Sequence, residues 1–333
     1  MIRSAALCGG LWRCLRARYA AQARMDVSSF KGRSVLVAPG MSDARVPPKA
    51  RAIDALPSRA LHVCDVCSAG AFPLEQKMKL QGKIALVTGS DSGIGKAIAT
   101  LFAQEGADVA VIYHTDENGA KDTATRVEEV GRRALILRGD VGDSASVASC
   151  FKEAVARLGG LSILVNCAGI GAGGAEVAEI EDAQVEQVLR TDLLGPLFCC
   201  REFVRLRRIS GGGGRIVTIS SVAQHLPTPE SAPYGMAKAG LGSLTRSLSR
   251  EVAEDRINVN NIAPGLIQTP MTQGRLDDPE AREQSLSRIP WHRAGQPEEI
   301  ARLALFLASD YGDYVTGQTW TIDGGLSMQW GGA

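Results

Sequence analysis

From residue 83 onward, short apolar runs rich in valine and isoleucine alternate with helix-length amphipathic segments. The strand candidates are Ile84–Thr88, Asp108–Tyr113, Ala134–Arg138, Ile163–Asn166, Arg215–Ser220, Arg256–Ile262 and Thr319–Ile322. Between them, helical spacing predicts Gly95–Glu105, Ala120–Val130, Ser144–Leu158, Val185–Ser210, Tyr234–Ala253 and Pro297–Ala308. The strands are apolar throughout rather than alternating, as expected when both faces of a sheet are covered. Strand and helix repeated six or seven times predict an α/β fold. It is a Rossmann-type, doubly wound parallel sheet forming a single domain over residues 78–333.

Residues 1–77 have no such periodicity and are punctuated by Pro39, Pro47, Pro48 and Pro57. The first 25 residues carry Arg3, Arg13, Arg16, Arg18 and Arg24 and no acid, the composition of a mitochondrial presequence. Against that, Met78-Lys79-Leu80-Gln81-Gly82-Lys83 runs directly into the first strand, as a natural start would. We therefore expect an N-terminal extension of a chain whose functional start is Met78. That implies a cytoplasmic protein, with a mitochondrial leader and a folded accessory module as the alternatives.

Charge sharpens the division. Residues 1–77 hold 12 Lys/Arg against 5 Asp/Glu, while residues 78–333 hold 25 against 31. An acidic body argues against nucleic acid as a partner. No apolar run approaches the length of a membrane span. Eight cysteines show no paired framework, and Cys64-x-x-Cys67 lacks a second ligand pair, so no metal site is expected. Cys150, Cys167, Cys199 and Cys200 read as small buried hydrophobes in a reducing compartment.

Candidate chemistry begins after the first strand, at Thr88-Gly89-Ser90-Asp91-Ser92-Gly93-Ile94-Gly95. Glycines 89, 93 and 95 allow a tight turn, close backbone approach and tight helix packing. The helix that follows offers free N–H groups to a pyrophosphate. Between a strand and a helix, this is a dinucleotide site. NAD-selective sites carry an acid at the tip of the second strand. Here the tip reads Tyr113-His114-Thr115, and His114 and Thr115 suit a 2′-phosphate, but no arginine stands there or beside Gly93. The cofactor is NADP or NAD, with a slight lean to NADP.

Tyr234 and Lys238 are four residues apart, so on a helix they share a face one turn apart. An ammonium beside a phenol favours the phenolate. Moving that ionisation from about 10 to about 7 takes roughly 4 kcal/mol of differential stabilisation. The pair then serves as a proton-transfer catalyst near neutral pH. In isolation the pair is weak evidence, because the same spacing is common on an ordinary solvated helix face.

Taken together, residues 78–333 resemble the classical short-chain dehydrogenase/reductase family. The resemblance rests on Thr88-Gly89-x3-Gly93-Ile94-Gly95, Asp140-Val141, Asn166-Cys167-Ala168-Gly169, Ser221 thirteen residues before Tyr234, the Tyr234/Lys238 pair and Pro264-Gly265-Leu266-Ile267-x-Thr269. It implies that Asp140 and Val141 hold the adenine, with Ser92 and Ile94 in the glycine turn. It implies further that Asn166, Ala168 and Gly169 line the cofactor and that Pro264, Gly265, Ile267 and Thr269 cap its nicotinamide side. By the same resemblance Ser221 binds the substrate oxygen, Tyr234 exchanges its proton, and Lys238 binds the nicotinamide ribose. A homotetramer pairing the two long helices is also implied. One position departs: the family often has asparagine in a Val-Asn-Leu segment supporting a proton relay, where this chain reads Thr191-Asp192-Leu193. Aspartate keeps the size and acceptor capacity but adds charge and loses the amide donor.

The stretches Ser220–Pro229 and Ile289–Ile300 are similar to the glucose 1-dehydrogenase and polyol dehydrogenase branch. The expected activity is NAD(P)-dependent interconversion of a secondary alcohol and a carbonyl, on a sugar or polyol. A 3-oxoacyl-[acyl-carrier-protein] reductase is the alternative enzyme, and a non-catalytic dinucleotide-binding scaffold the alternative of another class. Gln224, His225 and Glu230 offer hydrogen bonds to a hydroxylated ligand or simply face water, and residues 266–290 are expected to form a lid.

Overall fold

A computed structural model describes residues 78–171 and 174–328; the extension at 1–77, with its presequence-like composition and four of the cysteines, lies outside the described residues. The seven strands are β1 (Ile84–Thr88), β2 (Asp108–Tyr113), β3 (Ala134–Arg138), β4 (Ile163–Asn166), β5 (Gly214–Ile219), β6 (Ile257–Pro264) and β7 (Thr319–Ile322). They form one parallel sheet in the order β3-β2-β1-β4-β5-β6-β7. Strand order reverses between β1 and β4, which opens a crevice above their carboxyl ends.

The helices are α1 (Gly93–Gln104), α2 (Glu117–Glu129), α3 (Ser144–Leu158), α4 (Asp182–Leu189), α5 (Gly195–Ser210), α6 (Ala232–Glu251), α7 (Pro270–Asp277), α8 (Pro279–Ser287) and α9 (Pro297–Ala308). Side-chain alternation along β1 explains why its sequence is apolar throughout. Ala85 and Val87 pack with Ile98 and Phe102 of α1 and Ile300 and Leu307 of α9. Leu86, pointing the other way, packs with Phe151 and Leu158 of α3 and Phe203 of α5. Two apolar layers therefore hold the sheet, and full burial of each such aliphatic side chain contributes about 1.5–3 kcal/mol.

Two helices are shifted by about two residues at an end, Gly93–Gln104 and Ala232–Glu251, and two others differ more. Helix α2 starts at Glu117 rather than Ala120 because the Asp116 carboxylate accepts from the Gly119 N–H (2.9 Å) and caps it. The predicted 185–210 helix is instead α4, a π-helical turn at Arg190–Leu194, and α5. Residues 266–290 fold into α7 and α8, neither of which buries a residue. Among the described residues no helix is long and apolar enough to cross a membrane.

Candidate active site

A cavity of about 780 Å³ fills the crevice above β1 and β4. Its floor is the turn between β1 and α1. Gly89 has φ +60°, and a Cβ there would stand 2.7 Å from the Ala168 Cα. A Cβ on Gly95 would stand 2.1 Å from the Gly89 carbonyl oxygen. Only glycine fits at either position. Thr88 stitches this turn to the one after β4, its Oγ1 accepting from the N–H groups of Cys167 (3.0 Å) and Ala168 (3.1 Å). Ser92 precedes α1 without a side-chain cap, and the first turn of the helix lines the cavity.

The far wall comes from the tips of β2 and β3. His114, Asp140 and Val141 line the cavity, and the Asp140 carboxylate accepts from the Gly142 N–H at 2.8 Å. Sequence reasoning found no arginine here. The parallel register nevertheless sets Arg138 opposite Tyr113, and its Nε donates to the His114 carbonyl oxygen at 3.2 Å. The signal was present in the last position of the third apolar run, but it needs the β2–β3 pairing to be read. Asp91, also in the wall, has a carboxyl raised above its usual range by burial.

Tyr234 and Lys238 enter the cavity from the first turns of α6. Lys238 is 5 % exposed, and its Nζ lies 5.2 Å from the centre of the Tyr234 ring. The same Nζ lies 2.9 Å from Oδ2 of Asp192, whose side chain is fully buried. The other Asp192 oxygen accepts from the Ile170 N–H at 2.8 Å. Burial acts against the ammonium, but the Tyr234 oxygen and the Asp192 carboxylate outweigh it and hold Lys238 above the usual lysine range. Gly169 makes room, since a Cβ there would stand 3.0 Å from Asp192 Oδ2 and 3.3 Å from Lys238 Nζ.

The remaining expected residues divide. Gly89, Ser92, Gly93, Ile94, Gly95, Ala168, Gly169 and Thr269 line the cavity together with those above. Ser221 lies outside the wall, one residue past Ser220, which is in it; its Oγ accepts from the Ala223 N–H at 3.1 Å. Asn166 is buried below, donating from Nδ2 to Thr218 Oγ1 (3.3 Å) and Cys200 Sγ (3.4 Å). Pro264, Gly265 and Ile267 also lie behind the wall: Pro264 pairs with Ile322, a Cβ on Gly265 would meet Asp323 at 2.7 Å, and Ile267 joins the core. None of the three lines the cavity, whereas Thr269, two residues past Ile267, does. Gln224, considered as a substrate contact, turns its amide toward Gly242 of α6, and Nε2 is buried without a partner. His225 and Glu230 are exposed and outside the wall. Cys150, Cys199 and Cys200 are buried free thiols, while Cys167 is half-buried and lines the cavity.

The residues present fit a dinucleotide. Three glycines clear the floor for it, an uncapped helix end faces it, and a buried cation stands at the opposite end. Comparison with known proteins agrees. The sequence model of a family described as enoyl-(acyl carrier protein) reductase matches residues 89–327. The 3beta-hydroxysteroid dehydrogenase 1 of Eggerthella lenta is 39% identical over 250 residues, 75% of this chain and 95% of its own. The crystal structure of acetoin dehydrogenase from Enterobacter cloacae is 38% identical with a TM-score of 0.69, covering 75% of this chain and 98% of its own. A structure from Agrobacterium tumefaciens with bound NADP is 33% identical with a TM-score of 0.70, covering 77% of this chain and 100% of its own.

Proposed function

The chain belongs to the short-chain dehydrogenase/reductase family, and from that premise we propose that Tyr234 is the proton donor and acceptor of its reaction. Membership makes it an NAD(P)-dependent oxidoreductase acting on CH–OH groups. The observation that carries the reading is the Tyr234/Lys238 pair in the wall of a cavity floored by Gly89, Gly93 and Gly95.

Bound NAD(P) supplies or accepts the hydride. The protein's own residues handle the proton and the oxygen. Tyr234 gives its phenolic proton to the carbonyl oxygen in reduction and takes it from the alcohol in oxidation. Ser221 Oγ already accepts from the Ala223 N–H, so its own O–H remains available to donate to the substrate oxygen. Lys238 supplies positive charge beside the phenol and would donate to the nicotinamide ribose. Asp140 and Val141 would hold the adenine end, and the first-turn N–H groups of α1 would meet the pyrophosphate.

For the substrate, a sugar or polyol is the first reading. It is supported by the similarity of Ser220–Pro229 and Ile289–Ile300 to the glucose and polyol dehydrogenase branch and by solved neighbours described as putative gluconate and 2-deoxy-D-gluconate dehydrogenases. For the cofactor, Arg138 beside His114 supports the lean to NADP. The acyl-carrier-protein description of the matching family favours a second reading, a 3-oxoacyl-[acyl-carrier-protein] reductase. The excess of acids over bases in residues 78–333 opposes it, because an acidic carrier needs a basic patch. Exposed Leu197 on α5 and Met236 on α6 are in keeping with a homotetramer through those helices. The test is NAD(P)H absorbance with sugars, polyols and ketoacyl thioesters. Turnover of a sugar or polyol is expected; turnover of thioesters alone selects the second reading, and nucleotide binding without any turnover selects a scaffold.

A further inference from the structure

Asp192 stands where the resemblance leads one to expect an uncharged asparagine, and the geometry gives the charge a partner. Its carboxylate is fully buried in the π-helical turn Arg190–Leu194. Widened turns of this kind recur at functional sites. One oxygen is fixed by the Ile170 N–H and the other meets Lys238 Nζ at 2.9 Å. The absence of a side chain at Gly169 lets both groups sit against the backbone.

The ammonium therefore faces two oxygen-bearing groups, the Tyr234 phenol on its own helix and the Asp192 carboxylate across the crevice. The third titratable neighbour is Cys167, after β4, whose thiol is pushed up to about 12 by burial and stays neutral. Asp91, in the β1–α1 turn, reaches this group through its charge on Cys167. Among the described residues, Asp192 is thus the anion that the ammonium meets directly.

We propose that Asp192 is a positioning residue for proton transfer: its carboxylate seats the Lys238 ammonium and offsets part of its field at Tyr234, so the phenol holds its proton to higher pH than an uncharged residue at 192 would allow. This rests on the reading of Tyr234 as the proton carrier. The physical reason is additive: a cation beside a phenol favours the phenolate, and an anion beside that cation opposes it. The overall equilibrium is unchanged, but the pH windows move. Carbonyl reduction, which needs the protonated phenol, stays competent at neutral and mildly alkaline pH. Alcohol oxidation, which needs the phenolate, is deferred to alkaline pH.

The test compares the full chain with Asp192→Asn. One readout is the ultraviolet phenolate absorbance of the protein alone as pH rises, with the Tyr234 component identified by its loss in Tyr234→Phe. The second is the pH profile of kcat/KM for alcohol oxidation. In Asp192→Asn both midpoints are expected to fall by about one pH unit, a tenfold change in phenolate fraction below the midpoint. Asp192→Ser removes the charge but leaves an acceptor for the Ile170 N–H, and it is expected to move both midpoints the same way if the asparagine amide disturbs the turn. An unchanged midpoint in either folded variant, even with a lower kcat, overturns the proposal. Full turnover in Tyr234→Phe is a separate result, which removes the underlying reading instead.

Discussion

Gly89 and Ala168 approach so closely that a Cβ on the first would stand 2.7 Å from the Cα of the second. This contact brings the turns after β1 and β4 together and sets the floor of the cavity. Gly89 also has φ +60°, so a side chain there meets strain and a backbone clash together. Gly89→Ala is expected to weaken NAD(P)H binding by about tenfold or more and to lower stability by roughly 1–3 kcal/mol. Fluorescence titration and denaturant unfolding measure the two effects separately.

The Asp192–Lys238 ion pair predicts a non-additive stability cycle. Lys238→Met leaves the Asp192 carboxylate buried and unpaired, which is expected to cost about 3–5 kcal/mol. Adding Asp192→Asn removes the unpaired charge and is expected to restore much of that loss. Denaturant midpoints of the wild type, the two single variants and the double variant give the coupling. Additive effects would mean that the two groups do not interact.

Arg138 predicts cofactor preference. If its guanidinium holds a 2′-phosphate, Arg138→Ala raises KM for NADP by about tenfold or more and leaves KM for NAD nearly unchanged. Equal changes with both cofactors would make Arg138 a structural residue of the β2–β3 edge.

Acid stability carries a smaller prediction. Arg293 grips Glu299 with two 2.7 Å hydrogen bonds, and with the Gln296 N–H this holds the Glu299 carboxyl down at about 2. A carboxylate held low stabilises the fold above its unfolded pKa, and that contribution is lost as pH falls through the folded one. The pair is partly exposed, so its contribution is under about 1 kcal/mol. Glu299→Gln is expected to be less stable than wild type at neutral pH and equally stable near pH 2, a convergence visible by urea unfolding across that range.

Much of this was legible in the sequence, and the exceptions share a cause. Local patterns sufficed for helices Ser144–Leu158 and Pro297–Ala308, whose bounds match the structure. They also marked Gly95, whose constraint is the nearby Gly89 carbonyl, and the Tyr234/Lys238 pair one helical turn apart. What stayed hidden depends on residues distant in sequence. Arg138 stands beside Tyr113 and His114 only because β3 pairs with β2, and it does not itself line the cavity. The break at Arg190–Leu194 follows no sequence period, and the charge of Asp192 finds its partner 46 positions later. Gln224 reads as an exposed loop polar until α6 is seen packed against it.

Tyr234→Phe in the full chain is the decisive test of Tyr234 as the proton carrier. That substitution deletes one oxygen and keeps the ring beside Lys238. Turnover is expected to fall by about a hundredfold or more at every pH, with NAD(P)H binding and thermal unfolding close to those of wild type. Turnover near the wild-type rate would contradict that role.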